Sequence, residues 1–331
     1  MDGAEEIKDR EWLDFERPIA ELEQKIQELE KLAKSQSINL EVEVGPLKNL
    51  RDKLLKRIFS ELTPWDKVRL ARHPARPVTS FYLESVFEGF LELHGDRLYG
   101  DDKAIVTGFA RLGKEQVLVV GQKKGRTTAE RVACFWGCAH PEGYRKALQK
   151  MKLAEKFGRP VITMINTPGA YPGVGAEERG QASAIARNIL EMTALKVPIV
   201  SVVIGEGGSG GALGIGVADR LLILEHAYYS VISPEGCAAI LWKEGDHRAE
   251  AAAALKLTAT DLKKLGIVDE ILEEPAGGAH RSPETMAGTL KEALIRSLAH
   301  LKRYPIDELL ERRYRKYRSI GSFDWAPEAA G

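Results

Sequence analysis

Between positions 19 and 33 apolar residues fall at Ile19, Leu22, Ile26, Leu29 and Ala33, with Glu and Lys filling the intervals. Steps of three and four return to one side of a helix, so the segment is expected to be helical with one narrow apolar seam. A polar linker from about Ser35 to Pro46 follows, and then a second stripe at Leu47, Leu50, Leu54, Ile58 and Leu62. Two such helices predict an N-terminal hairpin, which either packs on its own domain or contacts another subunit. From Ala104 the pattern changes. Ala104–Leu112 and Gln116–Gly121 read as paired strands about a turn near Gly113. Pro141, suited to a first helical position, opens a helix to about Phe157. Val161–Asn166 reads as a short apolar strand, Glu177–Leu195 as a helix and Val197–Ile204 as a second apolar strand. Arg220–Leu224 and Tyr228–Ile232 read as further strands and Pro234–Trp242 as a short helix. Strands alternating with helices indicate an α/β domain. The chain from about Thr285 reads as helical and carries a basic run, Arg312-Arg313-Tyr314-Arg315-Lys316, expected to be a solvated helix face.

Composition narrows the classes. The 331 residues include 48 Lys+Arg and 48 Asp+Glu, so no global field draws the chain to nucleic acid or an anionic membrane. No apolar run approaches the roughly 20 residues of a membrane helix. The start, Met1-Asp2-Gly3-Ala4-Glu5-Glu6, is acidic where a secretory signal is basic. Three cysteines form no disulfide framework. These features point to the cytoplasm.

The chemistry lies in two glycine-dense turns, 166–175 and 205–211, each following an apolar strand. Glycine lets another backbone or a ligand approach closely. A helix starting after such a turn offers unpaired amides to an anionic oxygen. Three readings compete over the second turn. Gly205, Gly207 and Gly210 match a dinucleotide fingerprint with Glu225 further on, but only about two helical turns follow, short for a crossover. Gly207-Gly208-Ser209-Gly210-Gly211 matches a nucleophile elbow, with Asp246 or Asp269 and then His280 in the required order. The third reading uses both turns: backbone amides hold a carbonyl oxygen as it becomes an enolate, with no catalytic side chain. No Gly-Lys-Ser/Thr follows either turn, which excludes a P-loop. Cys134, Cys138 and His140 invite a metal reading with Cys237 as a fourth ligand, yet the spacing lacks the paired elements of a structural zinc site, and buried reduced thiols are expected instead.

Longer motifs then line up in order. They are Asp14-Phe15-Glu16, Pro18-Ile19, Leu70-Ala71-Arg72-His73-Pro74, Gly95-Asp96-Arg97 and Asp101-Asp102-Lys103-Ala104. Further on come Pro141-Glu142-Gly143-Tyr144-Arg145-Lys146, Thr167-Pro168-Gly169-Ala170-Tyr171-Pro172-Gly173, Gly175–Gln181, Gly205–Leu213 and Ser230–Cys237. Together they resemble the alpha subunits of bacterial-type acetyl-CoA carboxylase carboxyltransferase over nearly the whole chain. The resemblance implies a crotonase-like (ClpP/crotonase) spiral of ββα units over 63–300, with an N-terminal helical extension over 1–62 and a C-terminal helical tail over 301–331. It implies an α2β2 heterotetramer with a zinc-ribbon beta subunit, served by a biotin carboxyl carrier protein and biotin carboxylase. Biotin, as carboxybiotin, would be co-substrate and acetyl-CoA the acceptor, giving malonyl-CoA for fatty acid synthesis, with no metal in this chain. Carried over by motif, the resemblance implies that the Gly210 and Gly211 amides form an oxyanion hole, with Ala212 beside them, while Gly207, Gly208, Gly169 and Ala170 shape the carboxybiotin approach. The alternative is a stand-alone crotonase-family CoA-thioester hydrolase or isomerase. Three departures stand out: Val132–Cys138 where a basic Asn-Phe-Gly-Met-like segment is usual, Gln122-Lys123-Lys124-Gly125 for His-Gln-Lys-Gly, and Asn166 for an aspartate.

Overall fold

The two apolar runs that end in glycine lie at the centre of the sheet. A computed structural model describes residues 12–36, 41–243 and 245–321; the acidic opening, positions 37–40 of the expected linker and positions 322–331 lie outside it. Helices α1 (Arg17–Gln36), α2 (Glu41–Ser60), α3 (Pro64–Ala71) and α4 (Thr79–Val86) precede strand β1 (Glu88–Glu92). Next come β2 (Ile105–Leu112), β3 (Glu115–Gln122), α5 (Thr128–Ala133), α6 (Pro141–Lys156) and β4 (Val161–Thr167). They are followed by α7 (Val174–Glu178), α8 (Gln181–Ala194), β5 (Ile199–Gly208), α9 (Ser209–Leu213), β6 (Arg220–Leu224) and β7 (Tyr228–Ser230). The remainder is α10 (Pro234–Leu241), α11 (Arg248–Ala254), α12 (Ala259–Lys264), β8 (Glu270–Leu272), α13 (Pro283–Leu301) and α14 (Ile306–Arg318).

The sheet runs β1-β2-β3-β4-β5-β6-β8. The β1–β2 and β2–β3 pairs are antiparallel and the rest parallel. Parallel strands covered on both faces carry unbroken apolar runs, and every residue of β4 and β5 is buried. Strand β5 serves two partners. Its first half pairs with β6 through Val200–Val203, and its second half pairs with β7 at Glu206, Gly207 and Gly208. Among the described residues no helix is long and apolar enough to cross a membrane.

Several expectations need correction. Helix α2 begins at Glu41, inside the expected linker, and includes Pro46. The reason is packing: Val44 is buried against Leu22 and Ile26. The inward residue further along α2 is Leu55, while Leu50 faces solvent. The helix expected over 177–195 breaks at Gly180, whose left-handed φ of 81° starts α8 afresh. Strand β5 continues through the glycines to Gly208. The basic run is only half solvated. Arg312 and Arg315 make exposed i,i+4 pairs with Glu308 and Glu311, but Arg313 is 1% exposed. Its guanidinium bonds Asp219 (2.8 Å) and the carbonyls of Met192, Leu195 and Val197 (2.8–2.9 Å), so it satisfies the unpaired C-terminus of α8.

A buried ion pair supports the end of β5. Arg76 bonds both oxygens of Glu274 (3.0 and 2.6 Å) and also the Ile204 carbonyl (2.9 Å). Burial alone would raise the Glu274 pKa, but Arg76, His226 and the Ala279 amide outweigh it and hold the carboxyl at about 2, against an ordinary 4.5. A depressed carboxylate contributes stability that is complete above its unfolded value and lost below it. Stability is therefore expected to fall as pH drops from 4.5 toward 2, a window read directly by denaturant titration across pH. At neutral pH, Glu274→Gln would leave Arg76 buried without its counter-charge and cost about 3–5 kcal/mol, whereas an exposed pair such as Arg312–Glu308 would change stability by under about 1 kcal/mol when broken.

Candidate active site

Strands β4 and β5 end side by side, and the turns that follow them are in backbone contact. A Cβ on Gly208 would lie 2.1 Å from the Pro168 carbonyl oxygen. One on Gly211 would lie 2.4 Å from the Ala170 nitrogen and 2.5 Å from the Gly169 carbonyl carbon. Only glycine fits at either position. Gly207 is pressed on Tyr229, with a Cβ distance of 2.5 Å to its ring. Gly210 differs: its nearest neighbour is Ile185 at 3.8 Å, and it is half-buried. The structure thus brings together Gly169, Ala170, Gly208 and Gly211, with Gly207, Gly210 and Ala212 on the same short stretch of chain.

Helix α9 starts at Ser209 with no side-chain cap. Its first amides have no intrahelical partner, which leaves those of Gly210 and Gly211 as donors of the kind an oxyanion needs. Ser209 itself is exposed and left-handed, at φ 56°, a conformation costing a non-glycine residue about 1–3 kcal/mol. The nucleophile elbow fails on its base: His280 bonds Glu16 at 3.2 Å, and Asp269 accepts from Leu221 and Lys316. The dinucleotide fingerprint fails because Gly205 and Gly207 lie within β5 and α9 spans only Ser209–Leu213.

Buried polar side chains hold the turns in place. Gln122 donates to the Gly211 carbonyl (2.8 Å) and accepts from the Asn166 amide (3.0 Å). Tyr144 also donates to Gly211 (3.3 Å). The Thr167 hydroxyl bridges to the carbonyls of Gly137 and Gly169 (2.7 Å each). Just before the glycines, buried Glu206 accepts from Arg72 (2.7 Å), from the Tyr228 hydroxyl (2.8 Å) and from Lys124. Arg72 reaches on to Glu235 of α10. Burial tends to lower the Arg72 pKa, but Tyr228 and Glu235 outweigh it and raise it. Burial first, then the nearby Arg72 charge, pulls the Lys124 ammonium down to about 7, against the pull of the Glu206 carboxylate it touches. None of these polar clamps was predicted, although a Gln closing an apolar strand and a Glu inside a glycine run are visible signals.

The divergent segment near 122–138 forms the neighbouring wall. Phe135 and Trp136 are both left-handed, at φ 48° and 52°. Phe135 meets His140 and Tyr171 edge-on, and His140 stacks on Tyr171 at 4.1 Å. Cys134 is buried and Cys138 half-buried, and burial pushes both thiols up, away from reactive thiolates. His140 is engaged with both rings and lies 3.9 Å from the Asp102 carboxylate. Among the described residues, the metal-ligating types that converge are Glu16, His73 and His280. There the Ala75 amide donates to His73 Nδ1 (3.1 Å), and Glu16 accepts from Leu13 (3.1 Å) and pairs with His280. The trio staples the start of α1 to the body of the protein. Burial would raise Glu16, but His280, the Leu13 amide and His73 prevail and lower it.

Comparison with known proteins decides the family. Residues 12–321 match the family model described as "Acetyl co-enzyme A carboxylase carboxyltransferase-like". The chain is 57% identical over 311 residues to the acetyl-coenzyme A carboxylase carboxyl transferase subunit alpha of Geobacter metallireducens, covering 94% of this chain and 98% of that one. The chain belongs to the acetyl-CoA carboxylase carboxyltransferase alpha-subunit family. Relatives of the same name from Rhodopirellula baltica (55% identity, 94% and 97% covered) and Coxiella burnetii (56%, 94% and 98%) agree. Among solved structures, transcarboxylase 12S aligns with a TM-score of 0.55 at 18% identity, covering 81% of this chain and 47% of that one. A Pseudomonas malonate decarboxylase hetero-tetramer aligns at 0.54 and 17%, covering 67% and 89%. These likenesses establish the crotonase-like carboxyltransferase fold that the alpha-subunit motifs imply.

The contact between turns gives an ordered pair of outcomes. Gly211→Ala drives a Cβ into backbone that cannot give, and is expected to lose about 1–3 kcal/mol or more together with activity. Ser209→Ala removes an exposed hydroxyl and is expected to keep most activity, where a serine hydrolase would lose about 10⁴-fold or more. Thermal melts and steady-state rates on both variants separate the two readings.

Proposed function

We propose that this chain is the alpha subunit of a biotin-dependent acetyl-CoA carboxyltransferase, moving a carboxyl group from carboxybiotin on a carrier protein to acetyl-CoA. The observation that carries the reading is the 57% identity, over nearly both full lengths, to a protein named as that subunit. Held at this site, carboxybiotin would supply CO2 as its N–C bond breaks, with the electron pair passing to the ureido oxygen. The Gly210 and Gly211 amides, with Ala212 beside them, would hold that oxygen and stabilise its charge. Gly207, Gly208, Gly169 and Ala170 would keep side chains out of the approach. The anion so held can take a proton from the acetyl methyl, and the resulting enolate attacks CO2 to give malonyl-CoA. A second oxyanion hole, for the thioester enolate, would come from a zinc-ribbon beta subunit in an α2β2 assembly.

The same reading places the chain in the cytoplasm beside a biotin carboxyl carrier protein and biotin carboxylase, and assigns no metal to it. It divides the chain into a helical extension over 1–62, a carboxyltransferase domain over 63–300 and C-terminal helices over 301–331. A stand-alone CoA-thioester hydrolase or isomerase is disfavoured, because the relatives are named as subunits. The deciding experiment purifies the chain alone and with its beta partner, and follows malonyl-CoA formation. The isolated chain is expected to be inactive and the co-purified complex active. Transfer by the isolated chain at the rate of the complex would overturn the subunit reading.

A further inference from the structure

Gln122 closes β3 with 0% exposure, an uncharged polar side chain at the end of a strand whose preceding residues Val117–Gly121 are all buried. Its two amide ends have different partners. Nε2 donates to the carbonyl of Gly211 in α9, and Oε1 accepts from the amide of Asn166, which opens the other turn. Both partners are backbone groups, one only an acceptor and the other only a donor, so the orientation of the side-chain amide is settled by chemistry. The link continues: Asn166 Oδ1 accepts from the Glu206 amide at 3.2 Å. A buried chain of bonds therefore crosses from β3 to β4 to β5 where the strands end. It holds from behind the two turns that touch at Gly208 and Gly211.

We propose that Gln122 is a positioning residue for carboxyl transfer, setting the register of the two glycine turns so that the Gly210 and Gly211 amides converge on one oxygen. The proposal rests on the carboxyltransferase reading. Gln122 faces solvent nowhere and is one chain segment removed from the reacting groups, so it acts through Gly211 and Asn166. Its amide has both a donor and an acceptor at the tip without carrying charge. Glutamate does so only when protonated.

That last fact supplies a test that a purely structural role would not pass. In Gln122→Glu the protonated carboxylic acid can still donate to Gly211 and accept from Asn166. The ionised form cannot donate, and it sets a negative oxygen against the Gly211 carbonyl. Burial raises the pKa of such a carboxyl, in documented cases to about 8–9. Titratable groups join the same network: Tyr144 of α6, whose hydroxyl burial pushes well above its ordinary range, shares the Gly211 carbonyl with Gln122, while Glu206 of β5, which also receives Lys124, gives its amide to Asn166. All of them are present in the parent enzyme, whose profile is the control. With the beta subunit co-purified, kcat of Gln122→Glu is expected to approach the parent at low pH. It should fall by about 10²-fold as pH rises through the new carboxyl's pKa, the scale of a small misplacement, with KM for acetyl-CoA little changed. Gln122→Met, of similar length with no donor, should show the loss at every pH. Parent-like kcat for both variants, or a pH-independent loss in Gln122→Glu, would overturn the assignment. So would failure of both variants to fold, which would make Gln122 a core residue only. An inactive parent complex would instead reject the carboxyltransferase reading and is seen before any variant is compared.

Discussion

At Gly208 and Gly211 two segments of backbone touch with no side chain between them, and the surrounding architecture serves that contact. A parallel sheet delivers β4 and β5 to the same edge. Beyond Ile165 their register shifts, so that Thr167 faces Gly207 and the turns can pack on each other. Since the Cβ positions fall within 2.1–2.5 Å of neighbouring backbone, the approach is a matter of covalent geometry rather than affinity. No rearrangement of rotamers could make room for a methyl group. Gly210 is the exception within the run: the nearest atoms a Cβ there would meet are those of the Ile185 side chain, at 3.8 Å.

The neighbourhood is unusually polar for a sheet interior. Glu206 with Arg72, Lys124 and Tyr228, and Glu274 with Arg76, put two carboxylates and three basic side chains at the ends of buried, mainly apolar strands. Charges of this kind add little net stability, because desolvation offsets attraction. They do penalise alternatives heavily, since a shifted strand would leave a charge unpaired. The pairs thus act on geometry: Arg76 binds the carbonyl of Ile204, one residue before the glycine run, and Glu206 lies within that run.

The parts of this fold that were legible in the sequence are those where apolar periodicity alone decides structure. Strands β2 to β6 and helix α6 were placed within a few residues, because an unbroken apolar run or a proline-led amphipathic stripe has one good solution. The register of α2 was not legible, since the choice between Leu50 and Leu55 depends on what α1 and the body of the protein present. The edge strand β1, Glu88-Gly89-Phe90-Leu91-Glu92, is mostly exposed and carries no apolar run, and β8 has only three residues. Of the candidate site, the glycines were visible and their contact was not, because contact between segments forty residues apart is a property of topology. Gln122 and Asn166 stood out as departures from a motif, and Gln122 also as a polar end to an apolar strand. That they bond to adjoining turns required coordinates.

Arg313 gives the molecule a temporal property. The carbonyls that end α8 and the carboxylate of Asp219, which also receives the amide of Ile199 at 2.7 Å, find their common cation more than ninety residues later in the chain. During synthesis the central strands leave the ribosome well before that guanidinium does. Until then the polar groups at the junction from α8 into β5 must stay hydrated. Burial of that junction is thereby tied to translation of almost everything described, and a chain stopped short of α14 would keep an open, charged seam there.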